Sequence, residues 1–216
     1  MPPADPDRQP AAIVAAFDVD GTLTTRDCVV PFLRLVGGTG RLTAGLALAA
    51  VRVVPALVRG DRDALKAESA RVVFTGRAAG DVEAAGQAFA ARIERSWLRQ
   101  DTVARMRWHR RAGHRIVLVS ASFGAYLRPL GHHLAVDGVL ATELTIDEAG
   151  RCTGALLGRN CRGVEKVARL HAWLDEHHGG RGAVELWAYG DSAGDRHLLS
   201  DADHAVWARE TLEPSP

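Results

Sequence analysis

Asp18 and Asp20 stand one residue apart, are followed by Gly21 and Thr22, and come directly after the apolar run Ile13–Phe17. Such a run reads as a buried strand, and strand alternation returns every second side chain to the same side. The two carboxylates therefore project together from the strand's carboxyl end, where open α/β sheets bind ligands. Like charges at that spacing repel unless a cation or a shared proton relieves them. Mg²⁺ is the natural relief, because it takes hard oxygen ligands and is commonly held by one or two carboxylates plus a substrate phosphate.

Three further groups share this kind of placement. Ser120 closes the apolar run that begins at Ile116, Lys166 sits early in a helical pattern after Arg162-Gly163, and Asp191 and Asp195 follow the run Val184–Tyr189. Each has a plainer use of its own. Ser120 fits a strand-end cap, Lys166 an exposed helix lysine, and Asp191 a helix N-cap.

The elements that must position these groups are legible from pattern. Strands are expected at 13–17, 115–120, 184–189 and 204–208, with a hairpin of 142–146 and 152–157 after an apolar stretch at 136–140. Helices are expected at 124–134 and 164–176. Residues 25–105 read as almost entirely helical, with breaks at Gly37-Gly38, Pro55, Gly60-Asp61 and Thr75-Gly76. The expected fold class is α/β, a doubly wound, Rossmann-like, mostly parallel sheet with a helical cap inserted after the first strand. The catalytic core is then 13–24 plus 106–212, the cap 25–105, and the flexible termini 1–12 and 213–216.

Bulk composition excludes some functions. Lys and Arg number 27 against 26 Asp and Glu, a net charge of +1, so no global basic field invites nucleic acid. Three cysteines without metal-like spacing fit a reducing compartment, and no signal peptide or membrane span is read at the N-terminus, so the expected location is cytoplasmic. Cys28 reads as a small buried hydrophobe. Among nine histidines, the pairs His132-His133 and His177-His178 read as surface or helix-end residues, since adjacent helix residues do not face each other. The segment Leu42–Val58 is strongly apolar but carries Arg52 and Pro55, which argues against a transmembrane helix. It reads either as a packed cap helix or as an apolar face for a lipid-like substrate or a membrane surface.

Taken in order, Asp18-Val-Asp-Gly-Thr22, Ser120-Ala-Ser-Phe123, Lys166 and Gly190-Asp-Ser-Ala-Gly-Asp195 resemble the motifs of the haloacid dehalogenase superfamily. The likeness is to the phosphatase branch with a helical cap between the first two motifs, which includes phosphoserine phosphatase. It spans about residues 13–208. The resemblance implies an Mg²⁺-dependent phosphomonoester hydrolase. Asp18 would attack phosphorus and Asp20 would act as acid and then base. Ser120, with Ala121 beside it, would meet the phosphoryl oxygens, and Lys166 would offset charge there. Asp18, the main-chain carbonyl of Asp20, and Asp191 would hold the metal, with Asp195 holding its waters or Lys166.

The resemblance further implies a small-molecule substrate read by the cap. Asp27, nine residues after the nucleophile, stands where phosphoserine phosphatases carry a Glu that binds the substrate amine. Arg71 is the best match for the arginine that binds its carboxylate. Asp27 equally fits an ordinary helix-entry carboxylate. A phosphoserine-like metabolite leads. The rival is a lipid phosphate of the lysophosphatidate or phosphatidylglycerophosphate type, hydrolysed at a membrane surface. A non-catalytic binding module is opposed by the intact set of carboxylates, serine and lysine.

Overall fold

A computed structural model describes residues 12–209 and 211–212. The tail at 213–216 and residues 1–11 lie outside the described residues, and Ala12 opens the first strand rather than a terminal tail. Six strands form one sheet: β1 (Ala12–Phe17), β2 (Arg115–Phe123), β3 (Gly138–Ile146), β4 (Cys152–Leu157), β5 (Val184–Gly190) and β6 (His204–Trp207). Their order is β4-β3-β2-β1-β5-β6, parallel throughout except for the antiparallel β3–β4 edge. This is the doubly wound α/β sheet expected from sequence. β2 runs three residues past Ser120, and residues 138–140 of the apolar stretch join 142–146 in one strand, because β3 pairs with β2 along its first part and with β4 along its second.

Nine α-helices lie among the described residues. Five follow β1: α1 (Val29–Gly37), α2 (Thr39–Leu48), α3 (Ala50–Arg59), α4 (Arg62–Phe74) and α5 (Ala79–Ser96). Then come α6 (Gln100–Arg111), α7 (Gly124–His133), α8 (Val164–His178) and the short α9 (Arg196–Asp201). Residues 105 and 106, between which the cap was expected to end, are consecutive within α6. Pro55 does not break its helix but sits inside α3, and the break falls at Ala49 instead, where α2 and α3 meet at 88°. Ala49 and Ala56 are the inward residues there, while Val51 and Pro55 face out, so the backbone bond that proline removes is lost on the solvent side.

Alternation along the strands splits the core. Val14, Ala16, Val117 and Val119 pack under α8 and α9 through Leu170, Leu174, Leu198 and Leu199. Ala15, Phe17, Ile116 and Leu118 face α6 and α7, and this second cluster continues without a break into the cap through Phe32, Phe74 and Phe89. His109 lies in that layer with no exposure, its ring 2.8 Å from the Tyr189 hydroxyl, and burial depresses its pKa to about 3. The two histidine pairs, His132-His133 and His177-His178, do close α7 and α8.

The cap meets the core most closely where α5 crosses α7. A Cβ on Gly86 would lie 2.0 Å from the Ala125 carbonyl oxygen, which is backbone and cannot step aside. Alanine favours a helix by about 1 kcal/mol over glycine, but overpacking costs about 1–3 kcal/mol. Gly86→Ala is expected to lower the thermal midpoint by several degrees, at roughly 2–4 °C per kcal/mol for a chain of this size. Gly80→Ala in the same helix, where nothing lies within 4 Å, should leave the midpoint unchanged or raise it.

Candidate active site

The parallel strands bring the expected residues to one edge of the sheet. Asp18 follows β1 directly, and its N–H donates to the Tyr189 carbonyl at 2.9 Å, tying it to the end of β5. Lys166 occupies the first turn of α8 and is 2% exposed. Its Nζ donates to Asp18 Oδ1 at 2.5 Å and to Asp195 Oδ1 at 2.6 Å. Asp195 takes the Ser192 N–H at 3.0 Å and the Ser192 hydroxyl at 2.7 Å on its other oxygen. Burial pushes the Asp18 carboxyl up, and the Lys166 ammonium opposes that shift. The two carboxylates raise the lysine, which stays protonated.

Asp20 has a different environment. Its carboxylate accepts the Cys28 N–H at 2.8 Å and the Ser122 hydroxyl at 2.5 Å, and Tyr126 donates in turn to Ser122 at 2.5 Å. These donors are neutral. Burial, reinforced by the Asp27 charge, raises the Asp20 pKa. Two carboxylates one residue apart thus meet different partners, a buried ammonium for Asp18 and two neutral donors for Asp20. Cys28 is buried, and the same burial pushes its thiol far up, consistent with an inert packing residue.

The loop between β1 and α1 keeps these groups in register. Thr22, Leu23 and Thr24 all direct their N–H groups at the Val19 carbonyl. Gly21 adopts φ +84°, and a Cβ there would lie 2.3 Å from Asp191 Oδ2. Carboxylate oxygens of Asp18, Asp191 and Asp195 lie within 4.8 Å of one another. Lys166 contacts two of them, and the pKa of the third, Asp191, is raised by burial and then by Asp195. Hard oxygen donors with more negative charge than one ammonium offsets suit Mg²⁺. The carboxylate of Asp20 is not part of that cluster.

A cavity of about 620 Å³ opens over the carboxylates between sheet and cap. Ser120, Ala121, Lys166 and Asp191 line its floor, and Val29, Leu33 and Leu65 give it apolar walls. Asp27 lines it too, but it is exposed and caps the first turn of α1 by accepting the Val30 N–H at 3.1 Å. Arg71 is absent from the lining, with 64% of its side chain exposed and its nearest charge Glu68 at 3.7 Å. The cations that α4 offers to the cavity are Arg62 and Lys66, and sequence reasoning missed both. Residues 62, 65, 66 and 69 all line the cavity, the i, i+3, i+4, i+7 spacing of one helix face. Lys66 Nζ is buried without a hydrogen-bond partner, lies 4.4 Å from the Phe123 ring centre, and is depressed by burial to about 8. Asn160 ties this wall to the core by donating to Asp63 Oδ1 at 2.6 Å while accepting from Thr142 at 2.8 Å.

Sheet order, insertion point and carboxylate cluster together define a hydrolase of the haloacid dehalogenase type. Residues 15–200 match the family of haloacid dehalogenase-like hydrolases, and the chain belongs to it. Protein CicA of Caulobacter vibrioides is 35% identical over 195 residues, covering 88% of this chain and 83% of CicA. A histidinol-phosphatase of Neisseria meningitidis is 28% identical over 96 residues, 42% of this chain and 41% of that protein. Among solved structures, a protein with unknown function from Bordetella pertussis superposes with a TM-score of 0.74 at 25% identity, over 88% of this chain and 87% of that one. A substrate-bound phosphoserine phosphatase shares the fold, with a TM-score of 0.58 at 16% identity, over 90% and 84% of the two chains.

The close approach at Gly21 yields a direct test. Gly21→Ala forces Asp191 to move, and a displacement of about 1 Å in such a site costs on the order of 10²-fold in rate. The expected outcome is a loss of that size in kcat with an unchanged far-ultraviolet circular dichroism spectrum.

Proposed function

We propose that the chain is an Mg²⁺-dependent phosphomonoester hydrolase that works through an aspartyl-phosphate on Asp18. The observation that carries this reading is the unequal treatment of two neighbouring carboxylates at the floor of one cavity. Asp18 faces the Lys166 ammonium, which favours the carboxylate form a nucleophile needs, although burial still lifts its pKa to about 7. At Asp20 burial and the Asp27 charge outweigh the two neutral donors and raise the carboxyl, which suits it to carry a proton. An Asp18 oxygen attacks phosphorus, the phosphorus–oxygen bond to the leaving group breaks, and the departing alkoxide takes the Asp20 proton. Asp20, now a carboxylate, removes a proton from the water that attacks the aspartyl-phosphate, which releases phosphate and restores Asp18. Ser120 donates to a phosphoryl oxygen, and Lys166 offsets charge between the phosphoryl group and Asp18.

Asp18 and Asp191, with the Asp20 main-chain carbonyl, are the residues that would hold Mg²⁺, and Asp195 fixes Lys166 beside them. When bound, the ion supplies charge neutralisation for the phosphoryl oxygens. Cap and core are read as separate parts of one site, with α1 and α4 giving the substrate wall and the sheet giving the chemistry.

The substrate read by that wall is a small phosphomonoester with a second anionic group. A buried, unpartnered ammonium at Lys66 is satisfied by such a group, and Asp27 at the mouth can meet an amine. Phosphoserine has both, and the names of the histidinol-phosphatase and phosphoserine phosphatase relatives support phosphomonoester hydrolysis in general.

Asp18→Asn is expected to lower kcat on an aryl phosphate by on the order of 10⁴-fold or more, and chelation of Mg²⁺ should abolish turnover of the wild type reversibly. Activity that persists in the Asn variant, or that ignores Mg²⁺, would sink the mechanism. The Lys66 assignment has its own signature. A lysine titrating near pH 8 loses its charge as pH rises, so kcat/KM for phosphoserine should fall above about pH 8. Lys66→Met should raise KM for phosphoserine about tenfold or more while leaving an aryl phosphate, whose leaving group carries no charge, little affected.

A further inference from the structure

The outer helices α2 and α3 present an apolar surface that neither the core nor the cavity uses. Leu48 is 91% exposed, Val51 88% and Val58 82%, with Val54 and Leu57 more than half exposed. On α3, residues 51, 54, 55 and 58 follow the i, i+3, i+4, i+7 spacing of a single face, and Arg52 and Arg59 run along its edge. A contiguous apolar patch rimmed by polar residues on a folded chain marks an interaction surface. No single helix among the described residues is long and apolar enough to cross a membrane, and the right-angled pair is shaped to lie on a surface rather than through it.

Charge identifies what covers the patch. Between Asp27 and Asp61 the chain has no Asp or Glu, yet it carries Arg34, Arg41, Arg52 and Arg59. Arg52 reaches Glu68 at 2.9 Å but keeps 60% of its side chain exposed. A second copy of the chain docking on this face would press cations against cations. An anionic bilayer instead offers phosphates to the guanidinium groups and an acyl boundary to the valines and leucines. The face is also continuous with the cavity lip, because Arg62, which lines the cavity, comes three residues after Arg59. We propose that the α2–α3 face docks this enzyme on anionic lipid bilayers, independently of which phosphomonoester it hydrolyses.

The test is cosedimentation of the full chain with vesicles of phosphatidylcholine alone and of phosphatidylcholine mixed with phosphatidylglycerol. The wild type should bind the mixed vesicles, ignore the neutral ones, and release as salt is raised. The double variant Val51→Asp/Val58→Asp should bind about tenfold more weakly or worse, and Arg41→Ala/Arg59→Ala should also lose about tenfold, through the salt-sensitive part. Both should hydrolyse an aryl phosphate at the wild-type rate, which verifies folding and separates docking from the catalytic reading. Equal binding to both vesicle types, undiminished binding by either variant, or a solution dimer abolished by the valine substitutions would each overturn the proposal.

Discussion

Lys166 is the point on which the site depends. An ammonium 2% exposed is held between Asp18 and Asp195 at 2.5 and 2.6 Å, with Asp191 in the same cluster. Removing charges from water is costly unless each finds a partner, and one lysine cannot neutralise three carboxylates. The surplus is negative and faces a cavity. That imbalance sets the cluster apart from a structural ion pair, in which the charges balance. It also explains the economy of the surrounding loops: Gly21 and Gly190 have no Cβ where one would collide with Asp191 or Asp195.

The second constraint is that neighbouring carboxylates must behave differently. Asp18 and Asp20 emerge from one strand end, so the strand alone would give them similar surroundings. The difference comes from elements distant in sequence. α8 brings an ammonium to Asp18, while β2 and α7 bring Ser122 and Tyr126 to Asp20. Helix, strand and loop thereby give the two carboxylates hydrogen-bond donors of unlike charge.

What could be read from sequence was what periodicity and strand ends determine. Apolar runs that stop at Asp18, Ser120 and Asp191 show where side chains leave a sheet, and the sheet's order places those ends side by side. Ser122 and Tyr126 left no comparable mark, because their importance is a contact made across 102 and 4 residues respectively. Arg71 shows the opposite case. Matching a residue type without asking which helix face it occupies singled out a side chain five residues beyond the cavity-lining Lys66, and five residues turn a helix by about 140° from the starting face. The i, i+3, i+4 pattern of Arg62, Leu65 and Lys66 was the readable signal.

The helices of the insertion differ in how firmly they are held. Phe32, Phe74 and Phe89 from the insertion pack with Phe123 and Tyr126 from the core, at centroid separations of 4.8 Å for Phe32–Tyr126 and 5.1 Å for Phe74–Phe123. Lifting α1, α4 and α5 as a rigid lid would expose these rings at roughly 1.5–3 kcal/mol each. Such a motion is a poor way to admit substrate. By contrast, α2 and α3 bury little beyond Leu42, Ala49 and Ala56. Elements with few buried apolar contacts open at low free energy. The cost of movement is therefore lowest at the outer pair, while α4, with Lys66, is held by the shared aromatic core.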